Sequence, residues 1–381
     1  MITPRATLDE WRVNNFDLIR LFAALQVAIV HCAVDLHLRG PIVDVVHSVL
    51  RLFPGVPIFF VVSGFLVSRS FERSTSLREF YRNRCLRIYP GLWVCLVASL
   101  VVILVWGIGA LEAVSAPRFF LWWAGQMSGF WMEAPQFLAH VGTGRLNPSL
   151  WTIPVELQFY LLLPLLYYAI FDRARARTPL LLAVLAGSVA LHAWIYFPGL
   201  FAPLRPYPRT LGTAAPYLWM FLIGVLAQRN WPLLRRWLVG RAPVWLLAYL
   251  AASALVRWIG VPGRAADMTP LLLIPLAGLV LSCAMSMRTL ADRLLHRHDI
   301  SYGIYIYHML ALNVAIQYGA RGSLVSAGVV IGVSLMLGAL SWHFVERPFL
   351  ARKRHALRAL SASDRDQIGI ERLDDPSRPT V

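Results

Sequence analysis

Charge is what this sequence has least of. Of its 381 residues only 15% are Asp, Glu, Lys or Arg, while 58% are hydrophobic; soluble globular domains carry about 25% charged residues. The deficit excludes a soluble globular class and points to a membrane protein. Cysteine is scarce too. Cys32, Cys85, Cys95 and Cys283 lie in or beside apolar runs, and no two have the spacing of a metal-ligand pair. They read as packing residues, and no metal is expected. A polar stretch long enough to hold a second folded domain is missing before about residue 344. A cleavable signal peptide is missing as well, because the first apolar segment is long, spiked with polar groups and preceded by Asp9 and Glu10. That segment is expected to serve as an uncleaved anchor.

What the chain does have is apolar runs of spanning length, about 20 residues each. They predict spans near 16–36, 47–70, 84–109, 150–171, 178–197, 211–228, 242–260, 270–288, 302–319 and 323–344. The expected fold is therefore all-α, a polytopic membrane protein of about ten transmembrane helices. The short aromatic segment 118–132 reads as interfacial or re-entrant, with an eleventh span as the other reading.

The formal net charge of +16 invites a nucleic-acid partner, but its distribution argues against one. With both termini cytoplasmic, 26 of the 36 Lys and Arg residues fall on the cytoplasmic side, eight outside, and two, Arg20 and Arg257, within spans. This is the positive-inside pattern, so the basic excess sets topology. Residues 349–381 are expected to form a short, charged, largely disordered cytoplasmic tail after a membrane domain covering 1–348.

Polar residues inside the spans carry the chemistry, because burying Asp or Arg in hydrocarbon costs about 2.5–3.5 kcal/mol each on insertion scales. In "NNFDLIRLFAALQVAIVHC", Arg20 and His31 differ by ~20° around a helix and ~16 Å along it, and Asp17 lies within ~40° of His31. All three share one face, which is expected to look into a polar cavity. An Asp17–Arg20 ion pair with a hydrogen-bonded His31 is one reading; a general base at His31 is the other. Arg84 and Arg87, one turn apart at the expected start of the third span, fit either membrane anchoring or a phosphate clamp. Glu156, placed at a height similar to His31, is an intramembrane carboxylate that either orients the imidazole or stands apart from it. Ser63 and Gly64 fit close helix packing or the wall of a site. Tyr302, Tyr305 and His308 fit an aromatic belt, with His308 at headgroup level.

Together these stretches resemble the bacterial membrane acyltransferase family 3. The resemblance runs from about Asn14 to Pro348. It rests on Arg20 and His31 in "FDLIRLFAALQVAIVH", Arg84 and Arg87 in "RCLR", Trp151, Thr152 and Glu156 in "SLWTIPVELQFYLLLPLL", and on "GVPIFFVVSGFL", "SYGIYIYH" and "FVERPF" in order. Pro57 and Leu157 depart from the pattern, standing where many members have acidic residues. The resemblance implies O-acylation of cell-surface glycans in the inner membrane, with cytoplasmic acyl-CoA, usually acetyl-CoA, as co-substrate and no bound cofactor. It implies His31 and Glu156 as catalytic residues and Arg84, Arg87 and Arg20 as donor-binding residues. Asp17, Trp151, Ser63 and Tyr302 are then channel or support residues. Many members add a periplasmic hydrolase-like domain, and a stand-alone membrane domain is expected here. A flippase of lipid-linked sugars, or a non-catalytic partner in polysaccharide export, is the alternative.

Overall fold

The computed structural model describes residues 14–106, 116–131, 136–145, 147–171, 178–197, 213–260, 268–286, 289–296 and 298–352. The expected tail beyond residue 352, and the acidic pair Asp9 and Glu10, lie outside the described residues. Within them the chain is helical, without strands. In order the helices are α1 (Phe16–Asp35), α2 (Pro41–Leu52), α3 (Gly55–Glu72), α4 (Leu77–Trp106), α5 (Ala116–Ser128), α6 (Thr152–Leu166), α7 (Thr178–Tyr196), α8 (Leu218–Arg229), α9 (Trp231–Leu238), α10 (Ala242–Trp258), α11 (Pro270–Met285), α12 (Leu290–Leu295), α13 (Ser301–Gln317) and α14 (Leu324–Ser341).

Among the described residues six helical stretches are long and apolar enough to cross a membrane, and a seventh if α9 and α10, which meet at 85°, are taken together. The chain is thus a multi-pass membrane protein, with fewer full-length spans among the described residues than the ten expected. The difference lies in α8, α11 and α13, with 12, 16 and 17 residues, which are shorter than the apolar runs containing them. The expected span 47–70 is interrupted at Phe53 and Pro54, where α2 ends and α3 begins. The aromatic segment forms the 13-residue α5, which at ~20 Å is too short to cross a bilayer. In α4, 30 residues long, Arg84 and Arg87 lie two to three turns in, not at its start.

Sequence chemistry sets the junctions that position the site. Asn15 precedes α1, and its amide donates to the carbonyls of Ser286 (2.7 Å) and Cys283 (3.3 Å), which the end of α11 leaves without helical donors. Its side-chain oxygen accepts from Ala291 N–H at 2.9 Å, fastening α1 to α12. Gln26 on α1 accepts from Gly55 N–H (2.8 Å) and donates to the Leu50 carbonyl (3.0 Å), holding the α2–α3 break against α1. Helices α3 and α8 cross at reciprocal glycines. A Cβ on Gly64 would overlap the Phe221 carbonyl oxygen, and one on Gly224 would overlap that of Val61. The close-packing reading of Ser63–Gly64 therefore holds for Gly64.

Candidate functional site

A cavity of ≈ 80 Å³ opens between α1, α3, α4, α6 and α13. Its wall takes in Arg20, Ser63, Arg84, Arg87, Glu156 and Tyr302 of the nine residues to which the resemblance gives a role, and leaves Asp17, His31 and Trp151 outside. Thr152, Tyr160, Ser301 and Tyr305 complete its polar lining.

The three guanidiniums are engaged differently. Arg20 bonds Asp299 at 3.1 Å and stands 3.8 Å from Asp17, and Arg87 bonds the same Asp299 carboxylate while approaching Glu346 at 3.8 Å. Ser301 donates to Asp299, and Ser341 to Glu346 at 3.0 Å. Asp299 lies two residues before α13 and is only 6% exposed. Burial pushes its carboxyl up, but Arg87 and Arg20 outweigh burial and hold it below the usual carboxylate value. Sequence reasoning missed this residue. Its signal was an isolated acid just before an apolar run, in a loop assigned to the basic side.

Arg84 has no carboxylate within salt-bridge distance among the described residues. It donates to Ser70 Oγ at 3.1 Å, lies over the Tyr160 ring at 5.7 Å, and leaves its buried Nε without a hydrogen-bond partner there. The i, i+3 pair is thus split: Arg87 is held in an ion-pair network, and Arg84 is a cavity cation open to an anion.

Glu156 accepts from Tyr160 and, at 3.4 Å, from Ser63. It makes no bond to His31, so of the two readings the fold favours the one in which Glu156 stands apart from the imidazole. Ser63 is therefore a wall residue as well as a neighbour of the glycine crossing. Tyr302 donates to the Ile88 carbonyl (2.8 Å) and packs where a Cβ on Gly91 would stand, so it is a wall residue rather than a belt residue. Trp151 packs on Tyr217 with centroids 5.2 Å apart, and it is the next residue, Thr152, that reaches the cavity, bonding Tyr305 at 2.8 Å.

His31 meets a different partner. Its Nδ1 lies 2.9 Å from Nε2 of His308, whose Nδ1 lies 2.7 Å from the carbonyl oxygen of Tyr305. His308 is fully buried, at 0% exposure, and so faces protein rather than headgroups; His31 is partly exposed. The pair sits one turn along α13 from Tyr305 at the cavity wall. Helix α1 is therefore joined at two levels to α13 and the residues leading into it, Arg20 to Asp299 and His31 to His308. No group of three or more His, Cys, Asp or Glu among the described residues has the arrangement of a metal site.

Comparison with known proteins places the chain in a family. The acyltransferase domain family matches residues 13–344. Nodulation protein 10 of Rhizobium leguminosarum bv. viciae is 36% identical over 347 residues, covering 88% of this chain and 92% of its own length. An O-acetyl transferase of Shigella phage Sf6 is 29% identical, with 89% and 96% covered. A peptidoglycan O-acetyltransferase of Listeria monocytogenes is 23% identical over 78% of this chain and 51% of its own length. No solved structure matches. The chain belongs to the membrane acyltransferase family 3.

Proposed function

We propose that the protein transfers an acyl group, acetyl in the simplest case, from cytoplasmic acyl-CoA to a hydroxyl of an envelope carbohydrate: O-antigen, exopolysaccharide or a lipid-linked saccharide. The observation that carries the donor assignment is Arg84, a cavity guanidinium whose buried Nε has no bond and which has no carboxylate partner among the described residues. A phosphate of the donor supplies what that nitrogen lacks. Glu156, with Ser63 and Tyr160, faces the extended pantetheine arm of the donor and accepts from its amide N–H groups. The thioester extends past Tyr305, whose carbonyl holds His308 against His31, to reach His31.

In the transfer, His31 takes the proton of the acceptor hydroxyl as its oxygen attacks the thioester carbonyl. The carbon–sulfur bond then breaks, and the proton on His31 goes to the departing thiolate, leaving ester and free CoA. A transient acyl-His31 formed by direct attack is the second route. Arg20 and Arg87, held by Asp299, supply the positive wall between the donor phosphates and the reacting end. The domain, residues 1–348, is read as ten spans in the bacterial inner membrane with both termini and the 349–381 tail cytoplasmic. The relatives named O-acetyltransferases support the reaction class.

Purified protein tests this by acetyl-CoA titration and by CoA release with crude envelope glycan. Wild type is expected to bind and release CoA, and His31→Ala to bind without release. Well-folded protein that binds no short acyl-CoA refutes the donor assignment and moves the assignment to a lipid-linked sugar flippase or an export partner.

A further inference from the structure

Resting on the acyl-transfer reading, we infer that His308 is a positioning residue that fixes the tautomer of His31 and presents the lone pair of His31 Nε2 to the reacting groups. The chain of reasoning starts at Tyr305. Its backbone carbonyl can only accept, so the nitrogen 2.7 Å away, Nδ1 of His308, carries a hydrogen. A neutral imidazole has one N–H, so Nε2 of His308 is left as an acceptor. The nitrogen facing it at 2.9 Å, Nδ1 of His31, is therefore the donor. This assigns the lone pair of His31 to Nε2, the ring nitrogen that faces away from His308.

The ring geometry supports a directed bond. The two centroids lie 5.2 Å apart with planes 22° from parallel. That separation exceeds the N···N distance by about two ring radii, so the rings meet edge to edge along the N–H direction rather than face to face. His308 is also locked from behind, buried at 0% exposure and bonded to its own helix one turn back. It takes the place that a carboxylate holds in other His-based sites. When Nε2 of His31 accepts a proton, Nδ1–H becomes a charge-assisted donor to His308, which stabilises the imidazolium without placing a second charge in the membrane. The same orientation serves either route, because base and nucleophile both act through Nε2.

The test is CoA release by wild type and three variants in acetyl-CoA with envelope glycan, with donor KM and kcat separated. Gln places its amide oxygen near the position of Nε2, whereas Asn reaches only that of Nδ1. His308→Gln is expected to keep kcat within about tenfold of wild type. His308→Asn and His308→Leu are expected to lose about 100-fold or more in kcat, the scale of a misoriented general base, with donor KM unchanged. Turnover by the Asn or Leu variant equal to wild type overturns the inference. So does a parallel fall in donor affinity and kcat in all three variants, which assigns His308 to the scaffold. A wild type that binds acetyl-CoA but turns over nothing overturns the proposed reaction, and this inference with it.

Discussion

Arg84 and Arg87 stand one turn apart, yet the structure separates their roles, and methionine substitution makes the separation measurable. Methionine approximates the length of arginine and so limits the cavity left behind. Arg84→Met removes one bond to Ser70 and a ring contact, and leaves no carboxylate stranded. Its folding cost is expected to be small, and removing a guanidinium with an unbonded buried Nε can offset part of it. Donor affinity should fall instead, by about 10–150-fold, the equivalent of about 1.5–3 kcal/mol for a hydrogen bond to a charged group. Arg87→Met removes the strongest partner of Asp299 and the cation beside Glu346, whose side chains are 7% and 2% exposed. Breaking a buried pair on one side costs about 3–5 kcal/mol. The assay is thermal unfolding in detergent alongside acetyl-CoA titration of each variant. The reasoning is refuted if Arg84→Met is destabilised as much as Arg87→Met, or if it binds acetyl-CoA as wild type does.

Other expectations follow from the same geometry. His31→Ala should lose about 10²–10⁴-fold in kcat, whereas Glu156→Gln, which keeps an acceptor oxygen for Tyr160 and Ser63, should lose less than about tenfold; equal losses in CoA release would restore a His31–Glu156 partnership. Asp299 has a lowered carboxyl pKa in the fold, so its stabilisation is present above the unfolded value of about 3.9 and lost only as pH falls through the lower folded value. Thermal midpoints measured from pH 7 down to pH 5 should therefore show no loss from this group in wild type, while Asp299→Asn should be destabilised throughout. Gly64→Ala should cut stability by about 1–3 kcal/mol or more, because its Cβ overlaps a backbone carbonyl, whereas Gly187→Ala, with open space around it, should be neutral or slightly stabilising. Unfolding midpoints of the two variants compare the positions directly.

The face shared by Arg20 and His31 was readable from an eleven-residue spacing, because helical periodicity dictates direction. Their partners were not. Asp299 and His308 lie 279 and 277 residues away, and periodicity says which way a side chain points without saying what meets it. Glu156 was read as an intramembrane carboxylate and it lines the cavity, but matching its height to that of His31 gave no angular information, and the two have different hydrogen-bond partners. Trp151 shows a related limit: a motif marks a stretch of chain, and here the stretch reaches the cavity through Thr152. Hydropathy gave longer spans than the helices at α8, α11 and α13, because an apolar run marks where a chain is buried or in lipid and not where its helix begins and ends. Asp299 escaped notice because it stands just outside the apolar run it serves.

The two joints that tie α1 to the far end of the sequence also set a schedule for biogenesis. At about 5–20 residues per second, the interval separating His31 from His308 takes roughly 14–55 s to synthesise. For nearly all of that interval Arg20 is already made and Asp299 is not. Asp17, one turn before Arg20 and 3.8 Å from it in the finished fold, is the counter-ion at hand from the outset. A weak local pair thus gives way to a strong distant one, and the first helix waits in the membrane for the thirteenth to complete its chemistry.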